Sequence, residues 1–205
     1  MSKTHKISRR KIHVRKNKTK KQRGGTTNTE IMKAIKNADL EFVKTNIARV
    51  GDLSFEDVDG NTPLDNAING YNSINPLILD EDKIAQFKNY AQIIILLLKN
   101  GANGENIVLP NFNFSNVNLG NININLKNAQ LQGSNMYKTN LEGAQLQAAN
   151  LSNADLTDAI LDLTNLTDTI FTGANLKGTT FDDAVNDGTI FTNTILEYDE
   201  EEDDD

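Results

Sequence analysis

Residues 148–166, AANLSNADLTDAILDLTNL, place a leucine at every fifth position: Leu151, Leu156, Leu161 and Leu166. Two positions before each stands a small residue, Ala149, Ala154, Ala159 or Thr164. Helices ask for apolar side chains every three or four positions and strands for every second one, so a beat of five belongs to neither. Stepping outward from Leu151 gives Leu126, Leu131, Met136, Leu141 and Leu146 on one side, and Phe171, Leu176, Phe181, Asn186, Phe191 and Leu196 on the other. Only Asn186 is polar. The residues two before the beat are Ala, Ser or Thr, Ile124 excepted, and those two after it are mostly Gly, Asn or Asp, which tolerate tight turns. Upstream, Phe114, Leu119 and Ile124 keep the beat two residues out of register, so a slip falls near Ile124–Leu126.

Over about residues 112–198 this pattern resembles the pentapeptide-repeat family, A-(D/N)-L-x-x. The resemblance implies a right-handed, four-sided β-solenoid with four pentapeptides per coil. The expected fold class is mainly β, a solenoid preceded by a small α-helical cap. One small and one large inward residue per side would fill a narrow interior while the corners turn. Coils stacked at strand spacing, about 4.8 Å, would form a rod roughly 20 Å long.

The segment before the rod reads as helical. TEIMKAIKNADLEFVK carries a helical stripe (Ile31, Ala34, Ile35, Ala38, Phe42) with Thr29 as its expected N-cap. Asp59-Gly60 then supplies a turn, and Pro63 suits the first turn of a second helix. YAQIIILLLKNGAN makes a further apolar helix stopped at Gly101. Thr62, Pro63, Leu64 and Ala67, with Leu97, Leu98, Gly101 and Ala102, resemble the opening and close of an ankyrin repeat, and residues 29–52 resemble a degenerate repeat before it. Asp65 stands where that family has His, which should remove a side chain supporting the turn. An insertion near 71–88 splits the repeat. Two repeats bury too little alone, so these helices are expected to cap the open amino end of the solenoid.

The net charge of −7 conceals two opposed ends. Residues 1–23 hold eleven Lys or Arg and no acid; Glu197 to Asp205 hold eight acids and no base. Like-charge blocks of this kind usually stay solvated. The expected organisation is a basic leader (1–28), an ankyrin-like segment (29–103), a linker (104–111), the solenoid (112–198) and an acidic tail (199–205).

With twenty residues per coil, residues twenty apart stack. Glu142, Asp162 and Asp182, joined by Asp183, then form an acidic ladder that is either a solvated face or a surface for a basic partner, the protein's own leader among them. A second face, uncharged, carries Gln130, Gln132, Asn150, Ser152, Thr172 and Thr192 with Ile170 beside Ile190, a candidate partner or homodimer contact. Arg9, Arg10, Lys11, Arg15, Lys16, Lys20, Lys21 and Arg23 permit salt-sensitive nucleic-acid binding or act as an import signal.

Chemistry has few players. There is no Cys, and both histidines, His5 and His13, lie in the leader, which excludes thiol and leaves no structured His for nucleophilic catalysis. No phosphate-binding or dinucleotide fingerprint occurs, so no catalytic residue, cofactor or metal is expected. The apolar run Ile93–Leu98 is far short of a membrane span. The absence of a signal-like leader points to an intracellular, cytoplasmic or nuclear protein. The Asn-, Ile- and Lys-rich usage suggests an AT-rich genome, such as that of a large DNA virus in its host cell. The resulting expectation is a non-enzymatic interaction or scaffold protein. The alternatives are a DNA-mimic inhibitor of a DNA-binding enzyme, as some pentapeptide proteins are, or nucleic-acid binding through the leader.

Overall fold

A computed structural model describes residues 27–74 and 80–196. It opens on two helix pairs: α1 (Asn28–Lys36) with α2 (Leu40–Asn46), and α3 (Pro63–Ser73) with α4 (Glu81–Lys99). The first cap is Thr27, two residues before the expected Thr29. Glu30 explains the shift, because it stands three residues after Thr27 and closes a capping box: the Glu30 N–H donates to Thr27 Oγ1 at 3.2 Å and the Thr27 N–H to Glu30 Oε2 at 2.8 Å. These bonds to Thr27 hold the Glu30 carboxyl below its ordinary value.

The stripe through Ile31 and Phe42 is not one helix. Ala38 turns left-handed at φ 53°, and Asp39 restarts the chain by accepting from the Phe42 N–H at 3.0 Å. The turn before α3 also departs from expectation. Asp65 does not weaken it, since Asp65 accepts from the Thr62 N–H at 2.9 Å and completes a second capping box. Asp57 then fastens the turn to both helix pairs. Its carboxylate accepts from Lys36 Nζ at 2.7 Å, Asn66 Nδ2 at 3.0 Å, and the N–H groups of Asp59 and Asn61 at 2.9 and 3.0 Å. Part of the segment read as an insertion lengthens α4, which starts at Glu81, well before the apolar run.

After Gly101 closes α4 at φ 87°, the chain winds into stacked coils. Parallel bridges recur every twenty residues, for instance Gln130↔Asn150↔Ile170↔Ile190 and Gln145↔Asn165↔Val185. Each five-residue side contributes a single bridge, so the β content of the described residues lies in isolated bridges rather than extended strands. Leu131 shows the bonding: its N–H donates to the Asn150 carbonyl at 2.9 Å, and the Asn150 N–H donates to Ala129 at 2.9 Å.

From Leu126 onward every corner is a four-residue turn. The Ala154 N–H donates to the Leu151 carbonyl at 3.1 Å, and the third residue, Asn153, sits at φ 56°. The same left-handed place is taken by Asn128, Gly133, Gly143, Asp158, Asp168, Gly173, Gly178, Asp183, Gly188 and Asn193. A turn whose third residue needs positive φ selects Gly, Asn and Asp, which is why those residues dominate two after the beat. One before the beat, Asn or Asp accepts from the N–H two residues on, as Asn140 does from Glu142 at 2.8 Å.

The beat residues fill the interior. Leu126 through Leu176 are buried, and the intervening Ser134, Thr139, Thr164 and Thr169 are buried with their hydroxyls on backbone carbonyls. Residues 104–111, expected as a linker, already belong to the stack. The Gly104 N–H donates to Asn125 at 3.0 Å, and Val108 bridges Gln130. Between the first and second coils the spacing is 22 residues, as in Asn113↔Asn135. The two extra residues are accommodated at Asn121 and Asn123, both left-handed, and this is the slip visible in the sequence.

The helices and the rod share one core. Leu98, Ala102, Ile107, Leu109 and Phe112 run continuously from α4 into the first coil, and the Tyr71 ring meets Phe112 tilted by 58°, at 5.1 Å between ring centroids. Leu109, Phe112, Phe114 and Leu119 are sealed by this cover.

Candidate interaction surface

The two ends of the rod differ. On the last coil Phe191 and Leu196 occupy beat positions, yet they are 39% and 45% exposed. This corrects the expectation that every beat residue to Leu196 lies inside: an interior position is buried only when another coil or cap lies beyond it. Phe191 stacks on the buried Phe171 at 5.4 Å with nearly parallel rings, and Phe181 meets it edge-on at 6.3 Å.

The outward bridge positions change character at the same end. Earlier coils carry mostly Asn, Gln or Asp there, with Val108, Ile160 and Ile170 the exceptions; the last carries Thr180, Val185, Ile190 and Ile195. Val185, Ile190 and Ile195 are 52%, 43% and 58% exposed. Apolar residues therefore cover the end and its rim together. Ile170 and Ile190, anticipated as neighbours, are bridge partners, with Ile170 half-buried. Sequence reading missed Val185, Ile195, Phe191 and Leu196 as a group. The signal was the run of β-branched residues where Asn or Asp is usual, around the polar interruption at Asn186.

The structure brings Glu142, Asp162 and Asp182 to one corner on successive coils. The Gly143 N–H donates to the Asp162 carbonyl and the Leu163 N–H to the Asp182 carbonyl, at 2.9 and 2.8 Å. Two of the carboxylates are already engaged: Glu142 Oε2 accepts from Asn121 Nδ2 at 2.9 Å and Asp162 Oδ1 from the Asp182 N–H at 3.0 Å. Asp183 holds the left-handed place of the turn. Leu163 occupies the same place one coil earlier, at φ 58° and 57% exposed. The basic positions Arg9, Arg10, Lys11, Arg15, Lys16, Lys20, Lys21 and Arg23 lie outside the described residues.

One cleft of about 600 Å³ lies at the helical end, between α1 and the loop before α3, lined by Met32, Lys33, Lys36, Phe55, Asp57 and Val58. Asp57 in its wall does structural work. Asp57 has four donors on its carboxylate, and the bond from Lys36 above all holds it well below the ordinary carboxylate range. Among the described residues no group of His, Cys, Asp or Glu is arranged to hold a metal ion, and no helix is long and apolar enough to cross a membrane.

Residues 124–162, 149–185 and 159–197 match the profile of the family described as Pentapeptide repeats, in eight copies. This supports the resemblance read from the five-residue beat and covers the coils from Ile124 onward, neither the first coil nor the helices. No curated protein matches the sequence. Among solved structures, the chain is similar to a pentapeptide repeat protein of the Arabidopsis thaliana thylakoid lumen, with 28% identity over 48% of this chain and 70% of that one, TM-score 0.43. It is also similar to a pentapeptide repeat protein from Nostoc PCC 7120, with 26% identity over 47% and 78%, TM-score 0.30. HetL, a pentapeptide repeat protein involved in heterocyst differentiation regulation in the cyanobacterium Nostoc sp. strain PCC 7120, shares 24% identity over 43% and 40%, TM-score 0.30.

Proposed function

We propose, taking residues 124–197 as a pentapeptide-repeat solenoid, that the protein is a non-enzymatic interaction protein whose contact surface is the carboxy-terminal end of the rod. The observation that carries this reading is the exposure of Phe191 and Leu196 at interior positions, with Val185, Ile190 and Ile195 exposed around them. Exposed apolar side chains gathered at one end of a fold mark a place where something binds. The helical segment, which we read as ankyrin-like, seals the other end and so directs contacts to this one. Right-handed, four-sided winding is part of the same reading.

The test is comparative affinity capture from the native cell. Ile190→Asp/Ile195→Asp should leave the circular dichroism spectrum unchanged and remove a specific partner. An unchanged set of captured proteins contradicts the proposal. A second reading, mimicry of DNA, draws on the charge of residues 151–196, which hold seven acids and one base. It predicts inhibition of a DNA-binding enzyme that is lost in Asp162→Asn/Asp182→Asn. Inhibition that survives those substitutions ends that reading.

A further inference from the structure

On the Val185 side of the last coil the backbone is left open in a definite register. One coil earlier, the N–H groups of Leu163, Leu166 and Asp168 donate to the carbonyls of Asp182, Val185 and Asp187 at 2.8, 2.7 and 2.9 Å. Among the described residues, the equivalent N–H groups of Asp183, Asn186 and Gly188 meet no backbone carbonyl. The Val185 N–H itself donates to the Thr164 carbonyl at 2.9 Å, so the Ala184 carbonyl is the acceptor a further segment would use at the same place. Three donors and one acceptor thus stand ready for one more extended segment. Both corners flanking this side are acidic. Asp162, Asp182 and Asp183 stand at one corner and Asp168 and Asp187 at the other, with Val185 between them 52% exposed.

We propose that this edge takes an extended basic segment of a partner protein, laid parallel to residues 182–187 as one further side of the coil. Its carbonyls accept from Asp183, Asn186 and Gly188, and one of its N–H groups donates to the Ala184 carbonyl. Main-chain bonds of this kind hold the segment, and the side chains select it. The register puts a small residue over Ala184, a β-branched residue over Val185, and bases over Asp182 and Asp187. Stacked positions lie about 4.8 Å apart at strand spacing, which brings a lysine head within reach of the carboxylate below. The rod already holds an ion pair of this kind: Lys138 Nζ lies 3.9 Å from Asp158 Oδ2, at stacked positions of one corner a coil apart. An acidic segment meets like charge at both corners, and so does a second copy presenting the same edge. Charge therefore selects a basic partner over self-association.

The inference rests on the contact-surface reading and narrows it to one side of the open end. The probe is the end-blocked peptide Lys-Asn-Ala-Val-Leu-Lys, whose residues fall in order over Asp182 to Asp187, titrated into the isotope-labelled full-length chain and followed by amide resonances. Docking predicts the largest shifts at Asp183, Asn186 and Gly188, with residues 104–125 at the covered end unmoved. Replacing both lysines of the peptide by Glu should weaken binding about tenfold or more, and so should Asp182→Asn/Asp187→Asn in the protein. Methylating the valine nitrogen of the peptide removes the N–H aimed at Ala184 and should weaken binding by about the same factor. High salt should weaken the lysine peptide by screening the flanking charges. No shift at the three amides, or equal affinity for the Glu or methylated peptide, overturns the proposal. The contact-surface reading survives that outcome if Ile190→Asp/Ile195→Asp still removes a captured partner, and fails separately if it does not.

Discussion

At Leu163 the backbone stands at φ 58°, a conformation that costs a branched L side chain about 1–2 kcal/mol and glycine almost nothing. Its side chain is largely exposed, so little packing offsets that cost. Leu163→Gly should therefore stabilise the protein by up to about 1 kcal/mol, read as a higher midpoint in urea; a lower midpoint would show that Leu163 packs more than its exposure indicates. Asp57 gives a pH prediction. Bonds from Lys36, Asn61 and Asn66 hold its folded-state carboxyl below the unfolded value near 3.8. A depressed pKa means that its stabilising share is complete above about pH 4 and is lost as pH falls below that. In Asp57→Asn the midpoint of thermal unfolding should be lower at pH 7, and the gap from the parent should narrow toward pH 3. A gap that stays constant would remove Asp57 from the acid response. Such local detail was only partly legible in the sequence. The Gly, Asn and Asp bias two after the beat announced the turns, because φ is a property of one residue. The four donors on Asp57 come from α1, α3 and its own loop, and no local pattern brings them together.

The coil is the element whose repetition makes its core readable. Each side repeats the same inward pair, so one register assigned Leu126 through Leu176 correctly. It failed at Phe191 and Leu196, because burial there depends on what lies beyond the coil. The same contrast gives a mutational prediction. Phe171→Ala should cost about 3–5 kcal/mol, as expected for a buried ring, while Phe191→Ala should cost well under half of that. Similar costs at both positions would mean that Phe191 is covered. The linker expectation failed for a related reason. GENIVLPN carries the upstream beat at Leu109, five residues before Phe114, and Gly104 and Val108 pair with the second coil, so the stack starts before the register read from Phe114. Gly104 itself has little freedom to change, since a Cβ there would lie 2.8 Å from the Asn125 carbonyl oxygen and from Leu126 Cδ2.

For the whole molecule, the asymmetry of the two ends is the organising fact. The helices give up their own solvent exposure to cover Leu109, Phe112, Phe114 and Leu119, and one continuous core joins cap and rod. Removing residues 29–103 should then leave a fragment that aggregates, checked by light scattering; a soluble monomeric fragment would show that the cover is dispensable. A cap was foreseeable from the insufficiency of two helix pairs. An uncovered far end was not, since nothing in the five-residue beat says where stacking stops. The measurement that tests this asymmetry most directly is hydrogen exchange of the full-length chain. Amides in residues 104–125 should exchange as slowly as those in 126–175, while residues 180–196 exchange markedly faster. Equal protection of 180–196, or fast exchange of 104–125, would contradict a rod sealed at one end and open at the other.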